Sequence, residues 1–168
     1  MGTNVARKNL SEPQFSAIFD KVAELNLPIF LHPVSVLGGD RLNDYHTINT
    51  IGNPTDTAVA ATFLIFGGIL DQCPDLKVCV AHGGGPACFG MGRMDRGWQV
   101  RSEARVNIEY PPSYYQSKMY YDCITMSERA LRFLIDTVGI DRVVLGSDWP
   151  YVTWDPSPVA WINSLESL

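Results

Sequence analysis

The sequence has no run of about 18 uninterrupted apolar residues, the minimum for a helix that crosses a bilayer. Its longest apolar stretch, Ala58 to Leu70, is broken by Thr62, Gly67 and Gly68. No membrane partner is therefore expected. The opening segment, MGTNVARKNLSEP, lacks the apolar centre of a secretory signal. Gly2 is followed by Ala6, where a myristoylation signal needs Ser or Thr. Excess positive charge is also missing. Thirteen Lys and Arg stand against 18 Asp and Glu, for a net charge of -5 and a pI of about 5.0. The basic residues are scattered, so nothing tracks a phosphate backbone and nucleic acid is not expected. No CxxC pair occurs among Cys73, Cys79, Cys88 and Cys123. These read as buried, reduced thiols of a cytoplasmic protein rather than disulfides or a thiolate metal site. Repeats and low-complexity tracts are absent as well.

What is present suits an ordinary globular domain. The chain has 168 residues, 46% of them hydrophobic and 18% charged. Ser11 and Gln14 have capping-box spacing, and Phe15, Ile18, Phe19, Val22 and Leu25 recur at helical intervals up to Asn26. Pro28 to His32 is a short apolar run expected as a strand buried on both faces, ended by Pro33. Val34 to Pro54 is a long polar loop, a length that implies function or short internal structure. A helix, apolar nearly all round, follows from about Asn53 or Thr55 to Gln72. Lys77 to His82 is a second buried strand, closed by Gly83, Gly84 and Gly85.

Pro86 to Trp98 reads as a helix, Arg101 to Ser117 as irregular, and Met119 to Cys123 as a third strand. Ser127 caps a helix that Gly139 closes. Arg142 to Gly146 is the fourth strand, and a last helix runs from Ser157 to Leu168. Strands alternating with helices imply a parallel sheet with helices outside it. A doubly wound sheet and a (β/α) barrel both fit. A whole barrel needs eight strands and about 250 residues, so four strands make half of one.

Three strands end in a reactive side chain: His32, His82 and Asp148. In parallel α/β folds these strand ends face the ligand. Two imidazoles and a carboxylate suit a divalent metal, and serve equally as acid and base groups. One histidine at a strand end is commonly structural, and an Asp before Trp-Pro is commonly a turn residue. Three in succession favour a site. The glycine run lets the backbone turn sharply and a ligand approach. A phosphate cradle is the weaker reading, because GGGPACFG lacks both the Walker lysine and GxGxxG spacing. His46 reads as a solvated loop residue, and Asp122 as a candidate support for the site.

The segments FLHP, LIFGGILDQCPDLKVCVAHGGGPACFGMGRMDRGW, YYD and FLIDTVGIDRVVLGSDWP together resemble the amidohydrolase-related family that contains aminocarboxymuconate-semialdehyde decarboxylase. The likeness runs from about Leu10 to Pro158. It implies a partial (β/α)8 TIM-type barrel, strands five to eight, with residues 1–168 forming the C-terminal half of the domain. It implies that His32 and Asp148 bind a divalent metal, zinc first and manganese second. It implies that His82 acts as acid/base beside that metal. Arg93, eleven residues after His82, matches an arginine that reaches a neighbouring subunit's site and pairs with a substrate carboxylate. Trp149 is expected to line the pocket.

The implied activity is decarboxylation of a carboxylated unsaturated or aromatic small molecule. A hydrolase or hydratase of the same superfamily is the alternative. The sequence departs from the family pattern: the first four strands of a complete barrel are absent, and no two of its three histidines are two residues apart. The His-x-His or Glu-x-His of the first barrel strand is thus missing, and the final helix stops early. Catalytic zinc sites usually hold three protein ligands. The expected partner is therefore a second copy, as a homodimer, or a missing N-terminal half. A truncated, non-catalytic remnant is the reading from a different class.

Overall fold

A computed structural model describes residues 1–153 and 155–165. Its centre is a four-stranded parallel sheet in the order β3 (Pro28–Leu31), β4 (Lys77–Val80), β5 (Tyr120–Asp122) and β6 (Val143–Val144). Ile29 pairs with Val78, Val80 with Tyr121, and Asp122 with Val144. Before the sheet, β1 (Asn4–Val5) and β2 (Lys8–Asn9) form a small antiparallel hairpin that no sequence signal announced. The connecting helices are α1 (Ser16–Glu24), α2 (Asn53–Phe66), α3 (Ile69–Gln72), α4 (Ala87–Val100), α5 (Pro112–Gln116), α6 (Glu128–Val138) and α7 (Pro158–Ser164). The expected helix from Ser157 is seen to Ser164, and its last three residues lie outside the described residues. No helix among the described residues is long and apolar enough to cross a membrane.

The helices cover one face of the sheet. Ile29, Leu31, Val78, Val80 and Tyr121 point from that face into the main core. Phe19 of α1, Leu64 of α2, Met91 of α4 and Leu131 of α6 meet them there. Strand residues alternate between faces, and the other face differs. Phe30 is 47% exposed, and Val144 is also exposed. The strands expected to be buried on both faces are thus buried on one. On that face Phe30 and Val144 lack a covering layer among the described residues, whereas Asp122 at the end of β5 is buried beside Gly146.

Local signals explain most boundaries. Asn26 ends α1 with φ of 53°, a left-handed conformation that asparagine tolerates. The Ser127 hydroxyl accepts from the Ala130 N–H and caps α6, and Gly139 with φ of 89° closes it. The Ser11 box does not form. A 3-10 turn at Pro13–Phe15 precedes α1, and the Glu12 carboxylate accepts from the Asn9 N–H instead. The proline preset that turn, displacing the start of the α-helix to Ser16. The long loop after β3 carries a 3-10 turn at Gly39–Arg41 and a π-helical turn at Ile48–Gly52. Buried Asp56 of α2 holds the N-terminal segment: it accepts from the Thr3 hydroxyl, the Asn4 amide and the Leu37 N–H.

Leu31 is fully buried one residue before His32. Leu31→Ala is expected to cost about 2–5 kcal/mol. Chemical denaturation checks this, and a loss below about 1 kcal/mol would show that the β3 core contact is dispensable.

Candidate active site

Because β3 and β4 are parallel and in register, the residues that follow them emerge side by side at one end of the sheet. His32 follows β3 and His82 follows β4, with ring centroids 5.1 Å apart. Asp148 lies beyond β6, four residues past Val144, and turns back with φ of 65°. Its Oδ1 sits 3.5 Å from His32 Nε2 and 3.8 Å from His82 Nε2. The three candidate ligand atoms lie within 4.8 Å of one another, in the one such cluster among the described residues. Side-chain exposure is only 9% for His82 and 8% for Asp148.

Each member is held by neighbours. His32 Nδ1 lies 3.0 Å from the Pro33 carbonyl, which only accepts, so this nitrogen carries the proton. In the neutral ring the other nitrogen then offers a bare lone pair. His32 Nε2 is buried and has no hydrogen-bond partner. Tyr151 stacks on the same ring at 4.9 Å and 14°. The Thr153 hydroxyl is 3.1 Å from Asp148 Oδ2 and 2.9 Å from Asn49 Oδ1, tying the long loop to the Asp148 turn. His82 Nδ1 is 3.2 Å from Thr57 Oγ1 of α2. Burial depresses the His82 pKa to about 4, against the pull of Asp148, and nearby His32 depresses it further.

Asp122 supports the site through the backbone. Its Oδ1 accepts from the Gly83 N–H at 2.8 Å and the Ile124 N–H at 3.1 Å, fixing the chain immediately after His82. Burial raises its pKa to about 6 although these donors favour the charged form. Gly83, Gly84 and Gly85 all have positive φ, so the run makes the sharp turn expected of it. The close approach it permits, however, is to protein. A Cβ on Gly85 would stand 2.0 Å from the Pro54 carbonyl oxygen, in the first turn of α2. The turn and the helix that carries Thr57 are pressed together there.

Two cavities meet at Asp148. One of about 480 Å³ has His82 and Asp148 at its rim and Phe89, Ile124, Met126 and Phe133 among its walls. The other, about 230 Å³, is lined by Phe30, His32, Asp122, Asp148, Trp149 and Tyr151. Trp149 thus borders the smaller cavity and is 69% exposed. Arg93 is exposed on α4 and borders neither cavity. His46 is exposed in the loop, as expected. Thr57, Asn49, Tyr151 and Thr153 were not anticipated. The long loop and the segment after Asp148 signalled function by their length and position, but hydroxyls and amides lack a spacing pattern that marks them.

A bare, buried imidazole nitrogen facing a carboxylate, with a second imidazole beside it, is a donor set that fits a divalent metal ion. The family model described as amidohydrolase matches residues 3–166. The 2-amino-3-carboxymuconate-6-semialdehyde decarboxylase of Dictyostelium discoideum is 36% identical over 170 residues, covering all of this chain and 47% of that protein. The apo crystal structure of Metarhizium anisopliae IDCase superimposes with a TM-score of 0.81 at 28% identity, covering 92% of this chain and 45% of that one. A dihydroxybenzoic acid decarboxylase from Polaromonas sp., solved with manganese and 2-nitroresorcinol, gives a TM-score of 0.82 at 24% identity, with 96% and 50% covered. The chain spans about half the length of the curated relatives it matches.

Gly85→Ala combines a strained φ of 55° with a backbone clash on Pro54. Loss of more than about 1 kcal/mol in stability is expected. Thermal melting measures it, and a variant as stable as the parent would show that α2 is not pressed on this turn.

Proposed function

Because the chain belongs to the amidohydrolase family, we propose that it is the C-terminal half of a metal-dependent decarboxylase barrel acting on a carboxylated unsaturated or aromatic small molecule. The observation that carries this reading is the convergence of His32 Nε2, His82 Nε2 and Asp148 Oδ1 within 4.8 Å beside an apolar-walled cavity. In this reading β3 to β6 are barrel strands five to eight. His32 and Asp148 hold the metal; zinc is the first candidate, and manganese, present in the Polaromonas structure, is the second. When bound, a divalent ion supplies Lewis-acid stabilisation of negative charge on a coordinated substrate oxygen.

The chain's own residues supply the rest. His82 Nε2 delivers a proton to the carbon that bears the carboxylate. The carbon–carbon bond then breaks, its electron pair stays with the substrate, and carbon dioxide leaves. Burial pushes the His82 pKa down to about 4, so the ring must first take up at Nε2 the proton that it delivers. Phe89, Ile124 and Phe133 offer apolar contact to a flat substrate. Trp149 shields the smaller cavity beside His32. Arg93 borders neither cavity of its own chain, so in this reading it pairs with a substrate carboxylate in the site of a second copy. That geometry supports a homodimer. The exposed Phe30 face and the β3 and β6 edges equally suit an N-terminal half that completes the barrel. The four free cysteines suit the reducing cytoplasm. A hydrolase or hydratase would use the same cluster. A second reading, from a different class, is a remnant that folds and binds without turnover.

Metal analysis and assay separate these readings. The chain is expected to bind close to one equivalent of Zn²⁺ or Mn²⁺, with binding lost in His32→Ala. His82→Ala should lower carbon dioxide release from a carboxylated substrate about 10²–10⁴-fold. Metal binding without any turnover supports the remnant, and no binding in either protein defeats the metal centre. Light scattering tests association: the mass of a single chain, with no apolar dye bound, would defeat the need for a partner.

A further inference from the structure

The proton on His82 can sit on either ring nitrogen, and the surroundings of the ring differ sharply at its two ends. Nδ1 meets the Thr57 hydroxyl oxygen at 3.2 Å. Nε2 faces the cluster, with the nearest charged atom, Asp148 Oδ1, at 3.8 Å. Thr57 is wholly buried on the second turn of α2, so water does not compete for its hydroxyl. That hydroxyl has one hydrogen. It also lies 3.1 Å from the carbonyl oxygen of Asn53, which can only accept.

One arrangement satisfies both contacts. Thr57 donates its hydrogen to Asn53, and its oxygen accepts from His82 Nδ1–H. The opposite tautomer gives up the Thr57–Asn53 bond and gains no hydrogen bond at Asp148 in exchange. Its Nε2–H would face Asp148 across 3.8 Å, beyond hydrogen-bond reach. Thr57 would also have to turn its hydrogen away from Asn53. We propose that Thr57 is a positioning residue that locks His82 in the Nδ1–H tautomer and so keeps the Nε2 lone pair aimed at the site. The role assigned to Thr57 rests on the reading of His82 as the proton-transfer group. Its consequence is that the proton arrives and leaves at Nε2 alone. The imidazolium and the neutral ring make the same Nδ1–H bond to Thr57, and no ring flip separates them. The packing of Gly85 on Pro54 sets the position of α2, and with it the distance from Thr57 to the ring.

Two-bond ¹H–¹⁵N correlation spectra of the metal-free chain, ¹⁵N-labelled on histidine, read the tautomer directly. Exposed His46 in the same spectrum serves as the reference for a free imidazole. His82 is expected to show a proton-bearing Nδ1 and a bare Nε2. Thr57→Val, which keeps the shape and removes the hydroxyl, should lose that pattern and move toward the pattern of His46. Thr57→Ser should restore it. A wild-type His82 with its proton on Nε2 overturns the proposal, as does a valine variant with the wild-type pattern. Should valine not fold, Thr57→Ala is read in the same way. Carbon dioxide release from the wild-type chain is assayed alongside. The expected Nδ1–H pattern without turnover defeats the decarboxylase reading and leaves the tautomer assignment standing. Turnover with the proton on Nε2 does the reverse.

Discussion

Three electron-pair donors face one another across a gap too wide for hydrogen bonds and too narrow for indifference. The Asp148 carboxylate and the two Nε2 atoms of His32 and His82 crowd a volume less than 5 Å across. His32 gives its proton to a backbone carbonyl, and His82 gives its own to Thr57. With both protons turned outward, the cluster repels itself until a cation or a proton enters. A buried polar atom without a partner costs about 1–3 kcal/mol. Such a cost persists only where the surrounding fold holds the atom in place. The rest of the architecture can be understood as the means of holding it.

Parallel strands do most of that work. Successive strands in register deliver successive strand ends to the same rim, so residues 32, 82 and 148 become neighbours without any contact in sequence. The remaining constraint is orientation, and it comes from behind. Asp122 pins the backbone after His82, Thr153 joins the Asp148 turn to Asn49, and Tyr151 stacks on His32. The glycine turn belongs to this support. By omitting side chains at Gly84 and Gly85 it lets Tyr121 and Pro54 come close, and α2 can lie directly behind His82.

The same sheet is finished on one side only. Its helix-covered face holds a dense core, while Phe30 and Val144 on the other face remain open to solvent. Met1 bonds to the Phe30 carbonyl and the His32 N–H along the β3 edge, so that edge is partly occupied. The site lies at the end of this half-covered sheet.

How much of this was readable in the amino acids differs by feature. The alternation of apolar runs with capped helices made the parallel α/β sheet legible, because burial periodicity and cap chemistry are local. The strand-end positions of His32, His82 and Asp148 were legible for the same reason. The Ser11 box misled because Pro13 imposed its own turn, and two-faced strand burial misled because an apolar run does not say what lies over it. Thr57 left no signal: its hydroxyl is one of many, and its meaning depends on a helix 25 residues before His82 in the chain pressing against the strand end that carries it. By itself, then, the sequence determined which residues sit where along the strands and helices, since short-range sterics and burial decide that. Only the tertiary structure decided which nitrogen of each imidazole faces the site, because that depends on single acceptor atoms brought within about 3 Å by packing between distant segments.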